Sequence, residues 1–226
     1  MPAFFITATG TDAGKTFLTT ALIRHLREKG RSVAAFKPVA SGFDSAAIAT
    51  GDTGRLLAAM QRPLSDDACE TVSPWRFAAP LSPDMAAARE NRAIDFSALV
   101  AFSRKAATAA DIVFIEGVGG VMVPLDATHT VLDWIAALAM PGVLVAGTYL
   151  GAISHTLTAL DALTHKGCPV QAIVLNETRN SSVDAAQTRA TITRFARGVP
   201  VCPLPWCPDD GTAARFIAPI AAALGL

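Results

Sequence analysis

The stretch "TGTDAGKT", residues 9–16, closes on a glycine, a lysine and a threonine. Those types in that order suit a bound polyphosphate. Glycine lets backbone N–H groups turn toward one anion, a lysine ammonium reaches the β and γ phosphates, and a threonine hydroxyl can ligate Mg²⁺. An apolar run, "AFFITA", precedes the stretch and "FLTTALIRHLREKG" follows it. The loop is therefore expected between a strand and a helix, whose N-terminus adds partial positive charge. The strict pattern of such loops starts with glycine where this chain has Thr9, with Gly10 beside it. The alternative is a plain strand–helix turn with an exposed lysine.

Two further clusters carry charge next to apolar runs. "AAFKPVASG" puts Lys37 just past one candidate strand, and "IVFIEGVGGVMVPL" ends another at Glu116, with three glycines close behind. In a parallel sheet all strand C-termini share one edge, so both side chains are expected beside the phosphate loop. A lysine there could neutralise a transferring phosphoryl group, and a carboxylate could ligate Mg²⁺ directly or through water. Asp52, in "ATGDTGRLL", could be a second carboxylate or simply an acidic residue at a helix start. From position alone, Lys37 reads equally as a solvated strand-end lysine; the alternative for Glu116 is a glutamate that merely ends a strand beside a glycine-rich loop.

The elements that must position these groups follow from the hydrophobic pattern. Continuous apolar runs at 4–7, 32–36, 112–115, 143–146, 170–175 and 199–204 are expected as parallel strands covered on both faces. Helices are expected at 15–28, 54–60, 96–108, 132–138, 154–165, 184–196 and 212–224, the first with Leu18, Ala21, Leu22, His25 and Leu26 on one face and ended by Gly30. This alternation predicts right-handed crossovers and a three-layer α/β domain with a mostly parallel sheet, residues 1–226 forming one domain. The Pro-rich patches at 74–83 and 203–208 read as loops. Residues 134–154 lack charge and are long enough to span a bilayer, but Pro141-Gly142 splits them, so a helix end, a turn and a buried strand are expected instead.

Composition narrows the partners. Of 226 residues, 51% are hydrophobic, and 19 basic residues balance 19 acidic ones. No basic arm is present, which argues against nucleic acid. Cys69, Cys168, Cys202 and Cys207 form no C-x-x-C pair, and the histidines have no matching spacing. A reduced cytoplasmic protein without a zinc site, a signal peptide or a membrane span is expected. Asn176 ends a strand and can donate and accept, as adenine recognition requires. Trp206 reads more readily as core than as a ligand contact, "LGAISHTL" as an ordinary helix cap, and His155 has no evident partner.

Taken together, the phosphate loop, "FKPVASG", "EGVGG" followed by "PL", and "VLNE" resemble the dethiobiotin synthetase family, ATP-dependent enzymes of biotin biosynthesis. The resemblance runs nearly end to end and includes "LSPDMAAARE", "LGAISHTLT" and "LPW"; "KPVASG" with "EGVGG" is its most specific part. The family loop is usually Gly-Thr-Asp-Thr-x-Val-Gly-Lys-Thr. Thr11 keeps the family threonine, Asp12 and Ala13 replace its more usual neighbours, and the first glycine becomes Ala8.

The resemblance implies a P-loop NTPase-type fold and a homodimer acting on 7,8-diaminononanoate, CO2 and ATP with Mg²⁺ as cofactor. The reaction would run through a carbamate and a carbamic–phosphoric anhydride to the cyclic urea, ADP and phosphate. Lys37 would be the main catalytic cation and Lys15 would hold the β and γ phosphates, with Thr11 and Ser41 bonding substrate or phosphate oxygens. Thr16, Asp52 and Glu116 would bind Mg²⁺. Asp12, Ala13, Gly14 and Phe17 of the loop, Gly117, Val118 and Gly119, Asn176 with Glu177, and Pro205, Trp206 and Cys207 would complete the ATP site. Gly151, Ala152, Ile153 and Ser154, from the neighbouring subunit, would bind the substrate's carboxylate tail. The alternative is a partitioning-type switch ATPase, but those proteins usually carry a lysine where this loop has Gly10. A cobalamin-pathway amidase-like ligase usually adds a glutaminase domain, which no Cys/His arrangement here suggests.

Overall fold

A computed structural model describes residues 2–207 and 210–226. Six strands form a parallel sheet: β1 (Ala3–Ala8), β2 (Val33–Phe36), β5 (Ile112–Glu116), β6 (Gly142–Gly147), β7 (Val170–Asn176) and β8 (Val201–Leu204), in the order β2-β5-β1-β6-β7-β8. A second, two-stranded parallel sheet pairs β3 (Val39–Ser41) with β4 (Trp75–Phe77). The helices are α1 (Lys15–Glu28), α2 (Asp52–Ala59), α3 (Asp66–Val72), α4 (Pro83–Arg89), α5 (Phe96–Ala106), α6 (Val131–Leu138), α7 (Ala152–His165), α8 (Ala185–Phe195) and α9 (Asp210–Ala223), with a short 3-10 turn at Ile48–Thr50.

Alternate residues of the central strands feed two cores. Phe4 and Ile6 of β1 pack with Leu18, Leu22 and Leu26 of α1, Leu56 and Leu57 of α2 and Ile217 and Ile220 of α9. Phe5 faces the other way, toward Leu99 of α5, Trp134 and Ile135 of α6, and Leu160 and Leu163 of α7. Both faces of the sheet are thus covered, which is why its strands read as unbroken apolar runs. On α1 the expected apolar face holds, except that Ile23 is buried and His25 is only partly so. Gly30, at φ 75°, ends that helix as expected.

Several expectations are corrected. The Pro-rich patch at 74–83 contains β4, and Pro83 opens α4 at its first turn, where a missing N–H costs nothing. Pro203 lies inside β8, at the sheet edge where proline is tolerated; residue 208 of that patch lies outside the described residues. α3 and α4 are seven residues each, too short for a period to show. The uncharged stretch at 134–154 is the end of α6, then β6, then the start of α7, and no helix among the described residues is long and apolar enough to cross a membrane. α7 opens at Ala152, two residues before the expected Ser154, because Gly151 takes φ 99° and turns the chain into it.

Candidate active site

The C-terminal edge of the main sheet brings the three charged clusters together. Ile6 of β1 pairs with Glu116 at the end of β5, and Phe36, just before Lys37, pairs with Ile115. Lys37 and Glu116 therefore leave adjacent strands at one level. The Lys37 ammonium lies 2.8 Å from Glu116 Oε1 and 2.9 Å from Asp52 Oδ2. Glu116 is fully buried, whereas the Asp52 side chain is 45% exposed. Burial alone would depress the Lys37 pKa, but the Glu116 and Asp52 carboxylates outweigh it and raise it well above the ordinary lysine value. Lys37 is accordingly a fixed cation and not a base. Asp52 responds in the opposite sense: burial pushes its pKa up, and the Lys37 ammonium with the Thr16 hydroxyl brings it below the usual carboxylate range. Asp52 is both the first residue of α2 and the second carboxylate beside Lys37.

The loop between β1 and α1 forms the facing wall. Its tight turns come from Asp12, at φ 58°, and Gly14, at φ 98°, and not from Gly10, which has open space around it. Aspartate tolerates this left-handed conformation better than most side chains, so the loop does without the early glycine of the strict pattern. At Gly14 a Cβ would run into the Asn176 side-chain amide. Asn176 Nδ2 donates to the Ala13 carbonyl at 3.0 Å, so this residue braces the loop from β7. The Lys15 ammonium donates to the carbonyls of Gly119 at 2.7 Å and Gly10 at 3.4 Å. Burial, with Lys37 nearby, lowers its pKa to about 8.

Thr16 donates its hydroxyl to Glu116 Oε1 at 2.6 Å, while Glu116 Oε2 is buried without a hydrogen-bond partner. A hydroxyl and two carboxylates thus converge, with one buried acceptor to spare. This donor set fits Mg²⁺, which usually takes few protein ligands and completes its shell with water and substrate phosphates.

The glycines after Glu116 serve close packing. A Cβ on Gly117 would press into the Phe5 ring at 2.8 Å, and one on Gly120 would meet the Thr9 carbonyl at 3.0 Å. The segment thereby lies flush against the phosphate loop.

A cavity of about 500 Å³ opens between these walls. Thr11, Asp12, Gly14, Lys15, Thr16, Phe17, Lys37, Ser41, Asp52, Val118 and Gly119 line it, all of them expected. Arg55, Pro80, Leu81, Ser82, Pro83 and Val123 also line it and were not singled out. The signal for Leu81–Pro83 was present in "LSPDMAAARE"; Arg55 could have been found one helical turn after Asp52. Ser41 ends β3, which pairs with β4 at Phe77.

Other expected residues lie elsewhere. Glu177 accepts a hydrogen bond from the Trp206 backbone N–H at 3.1 Å, joining the end of β7 to the 205–207 segment. Trp206 is half-exposed under the Arg179 guanidinium, 5.4 Å from its ring, and not in the core. Gly151, Ala152, Ile153 and Ser154 do not line the cavity. His155 does have a partner, the Tyr149 hydroxyl at 2.9 Å.

A parallel sheet whose first strand leads through a phosphate loop into a helix, with cations and carboxylates at the same edge, defines an α/β P-loop nucleotide-binding protein. Solved structures agree on the fold. The hydrogenase maturation factor HypB from Archaeoglobus fulgidus superposes with a TM-score of 0.60 at 13% identity, covering 99% of this chain and 90% of its own. The cell division ATPase MinD from Pyrococcus furiosus gives 0.59 at 15% identity, covering 100% and 99%. A family model described as an AAA domain matches residues 2–212. Sequence relatives are more specific. The ATP-dependent dethiobiotin synthetase BioD of Acidiphilium cryptum is 50% identical over 88% of this chain and 91% of its own length, and that of Methylobacterium nodulans is 45% identical over 87% and 90%. This chain belongs to the dethiobiotin synthetase family of ATP-dependent ligases, as its motifs implied.

Proposed function

We propose that residues 1–226 act as one ATP- and Mg²⁺-dependent ligase domain that carboxylates 7,8-diaminononanoate with CO2 and closes the cyclic urea of dethiobiotin. The observation that carries this reading is the Lys37 ammonium, held between Asp52 and Glu116 beside the phosphate loop. One substrate amine attacks CO2 and loses a proton, giving a carbamate. A carbamate oxygen attacks the γ-phosphorus of ATP as the bond to ADP breaks, leaving a carbamic–phosphoric anhydride. The second amine attacks the carbonyl carbon, the C–O bond to phosphate breaks, and the ring closes with loss of phosphate and a proton. The substrate supplies every nucleophile, so the protein's task is positioning and charge.

Each residue's share follows from its chemistry. Lys37 keeps its proton and can bond the oxygens on which charge builds up during phosphoryl transfer. Lys15, now satisfied only by carbonyls, exchanges them for β and γ phosphate oxygens. Thr11 and Ser41 orient the carbamate and phosphate oxygens. Asp52, Glu116 and Thr16 would hold Mg²⁺, which when bound supplies charge neutralisation on the triphosphate. Asn176, Glu177 and the 205–207 segment take the adenine. The start of α7 lies outside the cavity, which supports a shared site in which Gly151–Ser154 of one subunit binds the substrate tail in its partner. A reduced, cytoplasmic homodimer acting on small molecules, without nucleic acid or membrane, completes the reading.

The test is phosphate release with ATP, Mg²⁺, bicarbonate and the diamine, leaving out each in turn. Release that requires all four supports the ligase. Release from ATP and Mg²⁺ alone supports the switch-ATPase alternative.

A further inference from the structure

The cavity holds a third cation that the reading above leaves without work. Arg55 lies on α2 one turn after Asp52, and both line the cavity with Lys37 and Ser41. Lys37 is taken by two carboxylates and Lys15 by two carbonyls. Among the described residues the Arg55 guanidinium makes no hydrogen bond, ion pair or ring contact. Most other arginines here do: Arg76 on Glu70, Arg92 on Glu90 and Arg197 on Asp161, for example.

The helix that carries Arg55 is held in place. Leu56, Leu57 and Ala59 are buried beneath it. The Thr53 hydroxyl pairs with Ser73 Oγ at 2.8 Å inside the protein, at the end of α3, and the Lys37 backbone N–H donates to the neighbouring Val72 carbonyl at 3.1 Å. Gly54 packs so tightly on the Ile48 carbonyl that no Cβ fits between them. Asp52 and Arg55 are therefore presented to the cavity together, on a helix that cannot easily rotate. A planar, charged fork on a rigid support matches an oxyanion in two-point fashion.

We infer that Arg55 is a binding residue for an oxyanion of the reacting groups, either the γ-phosphoryl of ATP or the substrate carbamate. This rests on the ligase reading, and the test separates the two. Arg55→Ala, Arg55→Gln and Arg55→Lys are compared with wild type. Calorimetry gives the affinities for Mg-ADP and for the non-hydrolysable Mg-β,γ-imido analogue of ATP, and steady-state kinetics gives KM for the diamine.

If the γ-phosphoryl is the ligand, Arg55→Ala weakens the analogue about tenfold or more while ADP stays within about twofold. If the carbamate is the ligand, both nucleotides hold and the diamine KM rises about tenfold or more. Arg55→Lys keeps part of the affinity in either case. Arg55→Gln retains most of the stem and answers the question should the alanine variant fold poorly. All three values within about twofold of wild type overturn the inference, as does equal weakening of ADP and the analogue. Should the wild-type chain bind nucleotide but form no cyclic urea, the ligase reading fails; unchanged discrimination between ADP and the analogue then overturns the Arg55 inference as well.

Discussion

Glu116 is fully buried at the end of β5, and both Lys37 and Thr16 spend hydrogen bonds on its Oε1. Lys37→Ala removes the cation proposed to act on the transferring phosphoryl group and strands a buried carboxylate. Turnover is expected to fall about 10²–10³-fold, and stability by about 3–5 kcal/mol, the usual cost of breaking a buried pair from one side. Mg²⁺ should restore part of that stability by taking the cation's place, so its addition is expected to raise the melting midpoint of the variant more than that of wild type. Equal shifts in a thermal melt count against the metal assignment. Lys15 gives a second prediction, in pH. Its pKa is lowered to about 8 in the folded chain, from an ordinary 10.5. Between those values the unfolded chain holds the proton and the folded chain does not, so this group's contribution to stability rises with pH there. Bound phosphates favour the charged lysine, and nucleotide binding at pH 9 is expected to take up a proton. Calorimetry in buffers of different ionisation enthalpy measures it; Lys15→Ala should abolish the uptake and weaken ATP. The placement of Lys15, Lys37 and Thr16 at one edge was legible because each follows a strand or loop that announces itself. The Lys37–Asp52 contact was not, since the residues between them include a three-residue strand and a 3-10 turn that leave no periodic trace.

At the scale of the element, α2 shows how packing overrides propensity. Alanine is a better helix former than glycine by about 1 kcal/mol, so Gly54→Ala would stabilise an isolated helix. Here its Cβ would collide with the Ile48 carbonyl and push the helix away from the 3-10 turn. The expected outcome is lower stability and lower diamine-dependent turnover together, read by denaturant unfolding and steady-state kinetics. Unchanged turnover would mean that the placement of Asp52 does not depend on this contact. The six strands of the main sheet were legible from their length and lack of alternation. The β3–β4 pair was hidden because strands of three residues, one next to proline-rich sequence, carry too little pattern. Yet β3 ends at Ser41, which lines the cavity, so a missed element contributes to its wall.

For the molecule as a whole, the sequence foretold the shared edge of a parallel sheet, while the phosphate loop departed from its usual pattern without losing its shape. The start of α7 was visible as a motif, but a second subunit cannot be read from one chain's hydrophobic pattern. A shared site predicts complementation: Lys37→Ala and Gly151→Ala, which forces alanine to φ 99°, should each be nearly inactive, and mixing them should restore turnover. No recovery after subunit exchange would place the whole site within one chain. The central claim is that cations and carboxylates gathered at the sheet edge couple ATP cleavage to closure of a cyclic urea. The most direct measurement counts phosphate released against dethiobiotin formed, by mass spectrometry, in wild type and Lys37→Ala. Equal amounts of the two products in wild type, and loss of both in the variant, are expected. Phosphate released without dethiobiotin, or a variant that makes both at the wild-type rate, would contradict the account.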